Sequence, residues 1–217
     1  MRDAAETAVA IPLRYAQRGI GMAQAALGGA RACVELRHYP ANDARDPASG
    51  TQFYYHAHGS RRRPADEHGH FHVFAPRPDT PSAMPAPDDT GTLPSGFVHV
   101  AALSLDAHGR PIRWFTTNRW VTGEAWTDAG SLIALLPGLR PRARGRLAPV
   151  ADWLDAMLRL YARPLATLIR RRDAVIARRA ARTDRAAVFE DRTLDVVTEC
   201  AVDLPADLQR LHGTGRL

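Results

Sequence analysis

Twice between Phe53 and Val73 the chain alternates apolar and polar side chains, through Phe53-Tyr54-Tyr55-His56-Ala57-His58 and His68-Gly69-His70-Phe71-His72-Val73. Period two is strand spacing, because successive side chains of a β-strand point to opposite faces. Phe53, Tyr55, Ala57, Phe71 and Val73 therefore make an apolar face that belongs on a core, while Tyr54, His56, His58, His68, His70 and His72 share the other. The stretch Gly59-Ser60-Arg61-Arg62-Arg63-Pro64-Ala65-Asp66 carries turn formers and no apolar side chain larger than Ala or Pro, so the two strands are expected to close as a hairpin. Centring that loop near Arg63 sets His58 opposite His68, His56 opposite His70 and Tyr54 opposite His72.

A second hairpin is expected from Gly96–Asp106 and Pro111–Asn118, turned through Asp106-Ala107-His108-Gly109-Arg110. Both faces of its first strand are largely apolar, which marks a central strand covered on both sides. His99 is then read as a hydrogen-bonded core histidine in preference to a further ligand. Thr193 to Val202 alternates as a last strand. Helical spacing runs from Leu13 to about Leu36, interrupted near Gly19-Ile20-Gly21 or Gly28-Gly29. Thr127 or Asp128 caps a short helix stopped by Pro137-Gly138. Pro149 opens an amphipathic helix through Val150, Trp153, Leu154, Met157, Leu158 and Tyr161, kinked or ended by Pro164, and a second stretch continues to about Arg182. Pro205 to Leu211 forms a terminal helical turn. Between Pro76 and Ser95 lie six prolines, an irregular loop that reads either as an insertion or as a flap over the histidine face. The expected architecture is one α+β domain over residues 1–217, an antiparallel sheet of about five strands with helices packed on one side.

Composition changes this picture little. A chain of 217 residues with 45% hydrophobic content suits a globular fold. Net charge is +6, yet all 29 basic residues are Arg and none is Lys, a bias expected of a GC-rich coding sequence. Arg61-Arg62-Arg63, the alternating Arg140, Arg142, Arg144 and Arg146, and Arg170-Arg171-Arg172 lack interleaved aromatics, so they read as solvated surface and nucleic acid is not the expected partner. Cys33 and Cys200 are too few and too far apart for a disulfide framework or a thiolate metal site. The sequence shows neither a secretory leader pattern nor a run of 18 apolar residues, which sets the expectation of a cytoplasmic protein with no membrane partner.

The chemistry is concentrated in the histidines, six of nine of which lie between His38 and His72. Opposed residues on paired strands have Cβ atoms about 4.5–5.5 Å apart, so several imidazoles can converge on one ion through bonds of about 2.1 Å. Neutral imidazole suits zinc, copper, iron and nickel, and the expected cofactor is a divalent ion, zinc or iron. His56, His58 and His70 are the expected ligands, His68 or His72 a fourth ligand or general base, and Tyr54 a group that orients substrate or stabilises developing charge. Glu67 is the nearest carboxylate; on a regular strand it points away, so it needs a bulge or a frayed strand start to take part. Asp43, Asp46 and Glu124 are more distant candidates. The His-x-His pair resembles that of cupin barrels, but Glu67 follows His58 by nine residues instead of a few, which argues against that fold.

A second dense segment, Thr116 to Trp126, leaves a strand carrying two tryptophans, and Asn118, Arg119 and Glu124 are expected to bind substrate. The competing reading has the tryptophans plugging the core while Arg119 pairs with Glu124. Together these features point to a metal-dependent enzyme, hydrolytic or oxygen-using, acting on a small molecule. Three other readings stand beside it: a non-catalytic metal or haem binding protein, a metal-free isomerase or lyase using His and Tyr, and an Arg-rich nucleic-acid-binding module.

The segments Tyr-Tyr-His-Ala-His (54 to 58), Glu-His-Gly-His-Phe-His (67 to 72) and Thr-Asn-Arg-Trp-Val-Thr-Gly-Glu (117 to 124) together resemble an uncharacterised bacterial family, one of the domains of unknown function, over most of the chain. The resemblance implies a bacterial protein of that family and carries no reaction, cofactor or catalytic residue.

Overall fold

Each strand of the protein pairs with its neighbours in sequence. In the computed structural model, which describes residues 1–59, 66–77 and 96–215, six strands form one antiparallel sheet in the order β1-β2-β3-β4-β5-β6. They are β1 (Tyr39–Arg45), β2 (Gln52–His56), β3 (Gly69–Pro76), β4 (Phe97–Leu105), β5 (Pro111–Thr117) and β6 (Val196–Ala201). Eight helices accompany them: α1 (Arg2–Ala16), α2 (Met22–Ala26), α3 (Arg119–Thr122), α4 (Ala129–Leu135), α5 (Ala148–Leu160), α6 (Ala162–Ala180), α7 (Arg185–Phe189) and α8 (Leu204–Gly213). The chain is thus α+β.

The apolar side of the β2–β3 alternation becomes the floor of the main core. Phe53, Tyr55, Phe71, Val73, Leu103 and Trp114 are buried there with Trp153, Leu154 and Met157 of α5. Fully burying side chains of this size contributes roughly 1.5–3 kcal/mol each, and that is what obliges the histidines to take the opposite face. Helix α1 runs against α5, and α6 lies along β6 and β5. Cys33 and Cys200 sit half-buried against this core.

The sheet has one strand more than the pattern suggests, because β1 occupies the polar stretch after His38. Tyr39 pairs with Tyr55 and Ala44 with Phe53, so five residues of β1 span two steps of β2 and the alternation is lost in a bulge. At an edge, polar side chains face solvent and nothing in the pattern announces a strand.

The N-terminal helical segment also differs from the expected 13–36. Helix begins at Arg2, where its buried stripe of Ala4, Ala5, Ala8 and Ile11 is mostly too small to register as an apolar face. It ends for good at Ala26, after which Gly28 and Gly29 adopt φ of 64° and 103°. Residues 60–65 of the hairpin loop, with Arg61-Arg62-Arg63, and residues 78–95 of the Pro-rich segment lie outside the described residues.

Candidate metal centre

The register of β2 on β3 places Tyr54 opposite His72 and His56 opposite His70. Their side chains share the face turned away from α5, and one nitrogen each from His56, His70 and His72 lies within 4.8 Å of the others. All three rings are buried. Ligand nitrogens bound at about 2.1 Å to one ion sit roughly 3.0–3.5 Å apart, a spacing close to that of these three rings.

Hydrogen bonds choose which nitrogen each ring offers. Glu67 Oε1 lies 2.8 Å from His70 Nδ1. A carboxylate can only accept, so Nδ1 carries the proton and Nε2 of His70 carries the lone pair. That Nε2 meets Nε2 of His56 at 2.8 Å. On the other side, His72 Nδ1 lies 2.9 Å from His99 Nε2, and His99 Nδ1 lies 3.0 Å from Thr117 Oγ1. Protons running outward along this chain leave His72 Nε2 free to bind.

Glu67 itself is held from the far side, accepting from Ser104 Oγ at 2.5 Å and from Arg113 Nη2 at 3.1 Å. Burial pushes its carboxyl up, but His70, Ser104 and Arg113 outweigh this and hold it down at about 2. It is a carboxylate at neutral pH. His56, His72 and His99, conversely, are kept neutral. Burial, with His70, His58 and His38 nearby, drives His56 down to about 2. Burial and the neighbouring imidazoles likewise hold His72 well below the ordinary range. His99 is lowered to about 3, by burial first and then by Arg172 and His70. A partner at Nδ1, as His70 and His72 each have, is what orients an imidazole toward a cation.

His99 reaches this face through a bulge. Val73 pairs with Ala101 but Phe74 pairs with His99, so Val100 is the extra residue of β4. Strict alternation would have put His99 with Ala101 and Leu103 on the core side; the inserted residue turns it over to His72. It is buried and hydrogen-bonded at both nitrogens, to His72 and to Thr117.

The other expected site residues are distributed as follows. His58 is half-buried at the rim, with its ring centroid 4.7 Å from that of His56 and 5.3 Å from that of His70, outside the converging group. His68 precedes β3 and turns its Nδ1 to the Tyr55 hydroxyl at 2.7 Å, so it stands apart from the other histidines. Glu67 joins from that same frayed start, touching His70 and not the space between the three rings. Tyr54 is buried beside His56 and His72, stacked on His38 with centroids 3.6 Å apart, and its phenol is raised well above its ordinary range by burial, with Asp43 and Glu124 adding to it.

Asn118 caps α3, its side chain accepting from the Arg119 amide and donating to the Val188 carbonyl at 2.8 Å. Arg119 pairs with Glu190, and Glu124 accepts from the Thr122 hydroxyl. None of these three lines the cavity beside the histidines. That cavity, of about 330 Å³, is walled by Leu36, Phe115, Trp120, Val121 and Val196, with His58, Glu67, His70, His72, Thr117, Arg113 and Asp195 supplying its polar lining.

Sequence reasoning did not assign roles to Ser104, Arg113 and Thr117, which stand on β4 and β5 at positions facing the histidines. The signal available was their parity: Ser104 pairs with Arg113 in the sheet. Nor did it assign a role to His38, whose Nδ1 lies 2.9 Å from Asp43 Oδ1. Asp43 also accepts from Gln52 Nε2 at 2.8 Å, and it sits at φ 39°, a left-handed conformation within the β1 bulge.

Fold and site together define an α+β protein with a buried three-histidine cluster on the face of its sheet turned away from α5. By sequence the chain belongs to the family described as a domain of unknown function, DUF6969, whose model matches residues 2–202. No curated protein matches the chain, and no solved structure does. Among the described residues no helix is long and apolar enough to cross a membrane.

Proposed function

We propose that the protein is a metal-dependent enzyme whose ion is held by His56 and by Nε2 of His70 and His72. The observation that carries this reading is the pair of anchored rings, Glu67 to His70 and His99 to His72, because such partners fix both tautomer and orientation for a ligand. All-nitrogen ligation by neutral imidazoles suits zinc or iron. Three protein ligands leave a position for water or substrate, and the adjoining cavity gives a small molecule room to reach it. If the ion is zinc, it lowers the pKa of bound water toward about 7. Phe115, Trp120 and Val121 exclude bulk water and grip an apolar part of the substrate, while Thr117 and Arg113 offer polar contacts. Tyr54, beside two of the ligands, orients groups at the edge of the centre. His68 takes no part. A metal store or carrier is the alternative, and the cavity at the ligands favours the enzyme.

The test is elemental analysis of untagged protein purified without chelator, beside a His56→Ala/His70→Ala variant. Near-stoichiometric metal that the variant loses is the expected result. Protein that stays metal-free after reconstitution with zinc, iron and copper would sink the reading.

A further inference from the structure

An ion bound by the triad must first reach it, and His56, His70 and His72 are only 8%, 4% and 1% exposed. The cavity is a way in, since His70 and His72 line it together with His58. His58 stands between solvent and the triad. It is half-buried, its ring within 4.7 Å of His56 and 5.3 Å of His70 by centroid.

Two carboxylates accompany it. Asp195 lines the same cavity and is exposed. Glu35 is also exposed and folds across Gly59, the residue after His58; a Cβ placed on Gly59 would fall 2.5 Å from Glu35 Oε1, so the absence of a side chain there makes room for the carboxylate. Among the described residues neither acid is engaged in an ion pair, whereas Glu67 and Glu199 are both taken by Arg113. Burial and His70 lower His58, and the fields of Glu67, then Glu35 and Asp195, oppose this.

We propose that His58, Glu35 and Asp195 form an outer capture site that receives a hydrated divalent cation and passes it to the buried triad. The proposal rests on the triad holding a metal. Two exposed carboxylates raise the local concentration of cations. His58 then exchanges for part of the hydration shell before the ion is fully desolvated, which divides a costly step in two. From His58 the ion moves a few ångströms to His70 and His56. A site used in transit speeds capture and release alike and leaves the affinity unchanged.

The experiment is stopped-flow mixing of the metal-free full-length protein with cobalt(II) alone, followed by the visible absorption of bound cobalt, with release measured by adding excess chelator. His58→Ala is expected to slow loading and release about 10-fold each while Kd stays within about threefold. Glu35→Gln/Asp195→Asn, two surface changes that leave the core untouched, is expected to slow loading and to flatten its dependence on salt. Unchanged rates in both variants would overturn the route and leave the triad standing. A His58→Ala variant with weaker affinity and faster release would also overturn it, by making His58 a permanent ligand. Wild-type protein that binds no cobalt would remove the triad and the route together, and binding abolished by His72→Ala identifies the triad independently of His58.

Discussion

Glu67 and His70 are three residues apart in sequence, and the carboxylate of the first holds Nδ1 of the second at 2.8 Å. The other oxygen of Glu67 takes hydrogen bonds from Ser104 on β4 and Arg113 on β5, so a single acid ties two strands to an imidazole on a third.

Replacing it tests that tie. Glu67→Gln keeps the shape but removes the charge and sets an amide NH2 among donors. Metal affinity should fall about 10- to 100-fold, measured by chelator competition. Urea unfolding of the metal-free variant should show a loss of about 2 kcal/mol or more, because Arg113 keeps only Glu199 as a charged partner. An unaltered affinity would mean that His70 does not need its anchor.

Gly69 allows β2 and β3 to approach at the start of the pairing. A Cβ there would lie 2.5 Å from the His56 carbonyl oxygen and 2.7 Å from the Tyr55 hydroxyl, and the carbonyl cannot move without its strand. Gly69→Ala should therefore cost roughly 2–3 kcal/mol and lower metal occupancy. Gly138→Ala, which meets nothing within 4 Å, is the control and should stay within about 0.5 kcal/mol. Equal melting behaviour of the two variants would refute the argument.

Glu124 gives a dependence on pH. Burial raises its carboxyl to about 7 despite Thr122, Arg172 and Arg119, whereas an unfolded chain leaves it near 4.5. The folded state thus binds the proton more tightly. The resulting stability is fully present below about pH 4.5 and is lost as pH rises through about 7. Denaturation at pH 5 and pH 8 should show wild type losing on the order of 2 kcal/mol relative to Glu124→Gln. The comparison cancels the histidines, whose lowered values act in the opposite direction in both proteins. Parallel pH profiles would place the charge of Glu124 elsewhere.

Much of the site is legible where the alternation is regular. Phe53, Tyr55, Phe71 and Val73 demand a core, and their parity with a loop centred near Arg63 puts His56 opposite His70 and Tyr54 opposite His72, as the sheet has them. Legibility fails at irregularities. His99 changes face because Val100 is inserted, and no count of apolar positions reveals where a bulge falls. Glu67 and His68 precede β3, so strand parity does not govern them; one turns to His70 and the other to Tyr55. Arg119 and Glu124 invite each other in sequence, yet Glu190 and Thr122 arrive first through contacts that only the folded chain creates. Strand β1 escapes notice because an edge asks little of its side chains.

The order of the strands bears on how the centre is made. Since β2, β3, β4 and β5 follow one another as a meander, His56, His70, His72, His99 and Thr117 are gathered by closing successive hairpins, without waiting for a distant segment. Loops between near neighbours are the least costly to close, and contacts of this kind form early in folding. If the triad holds an ion as proposed, that metal would be a late guest of a finished sheet, and its removal would be reversible.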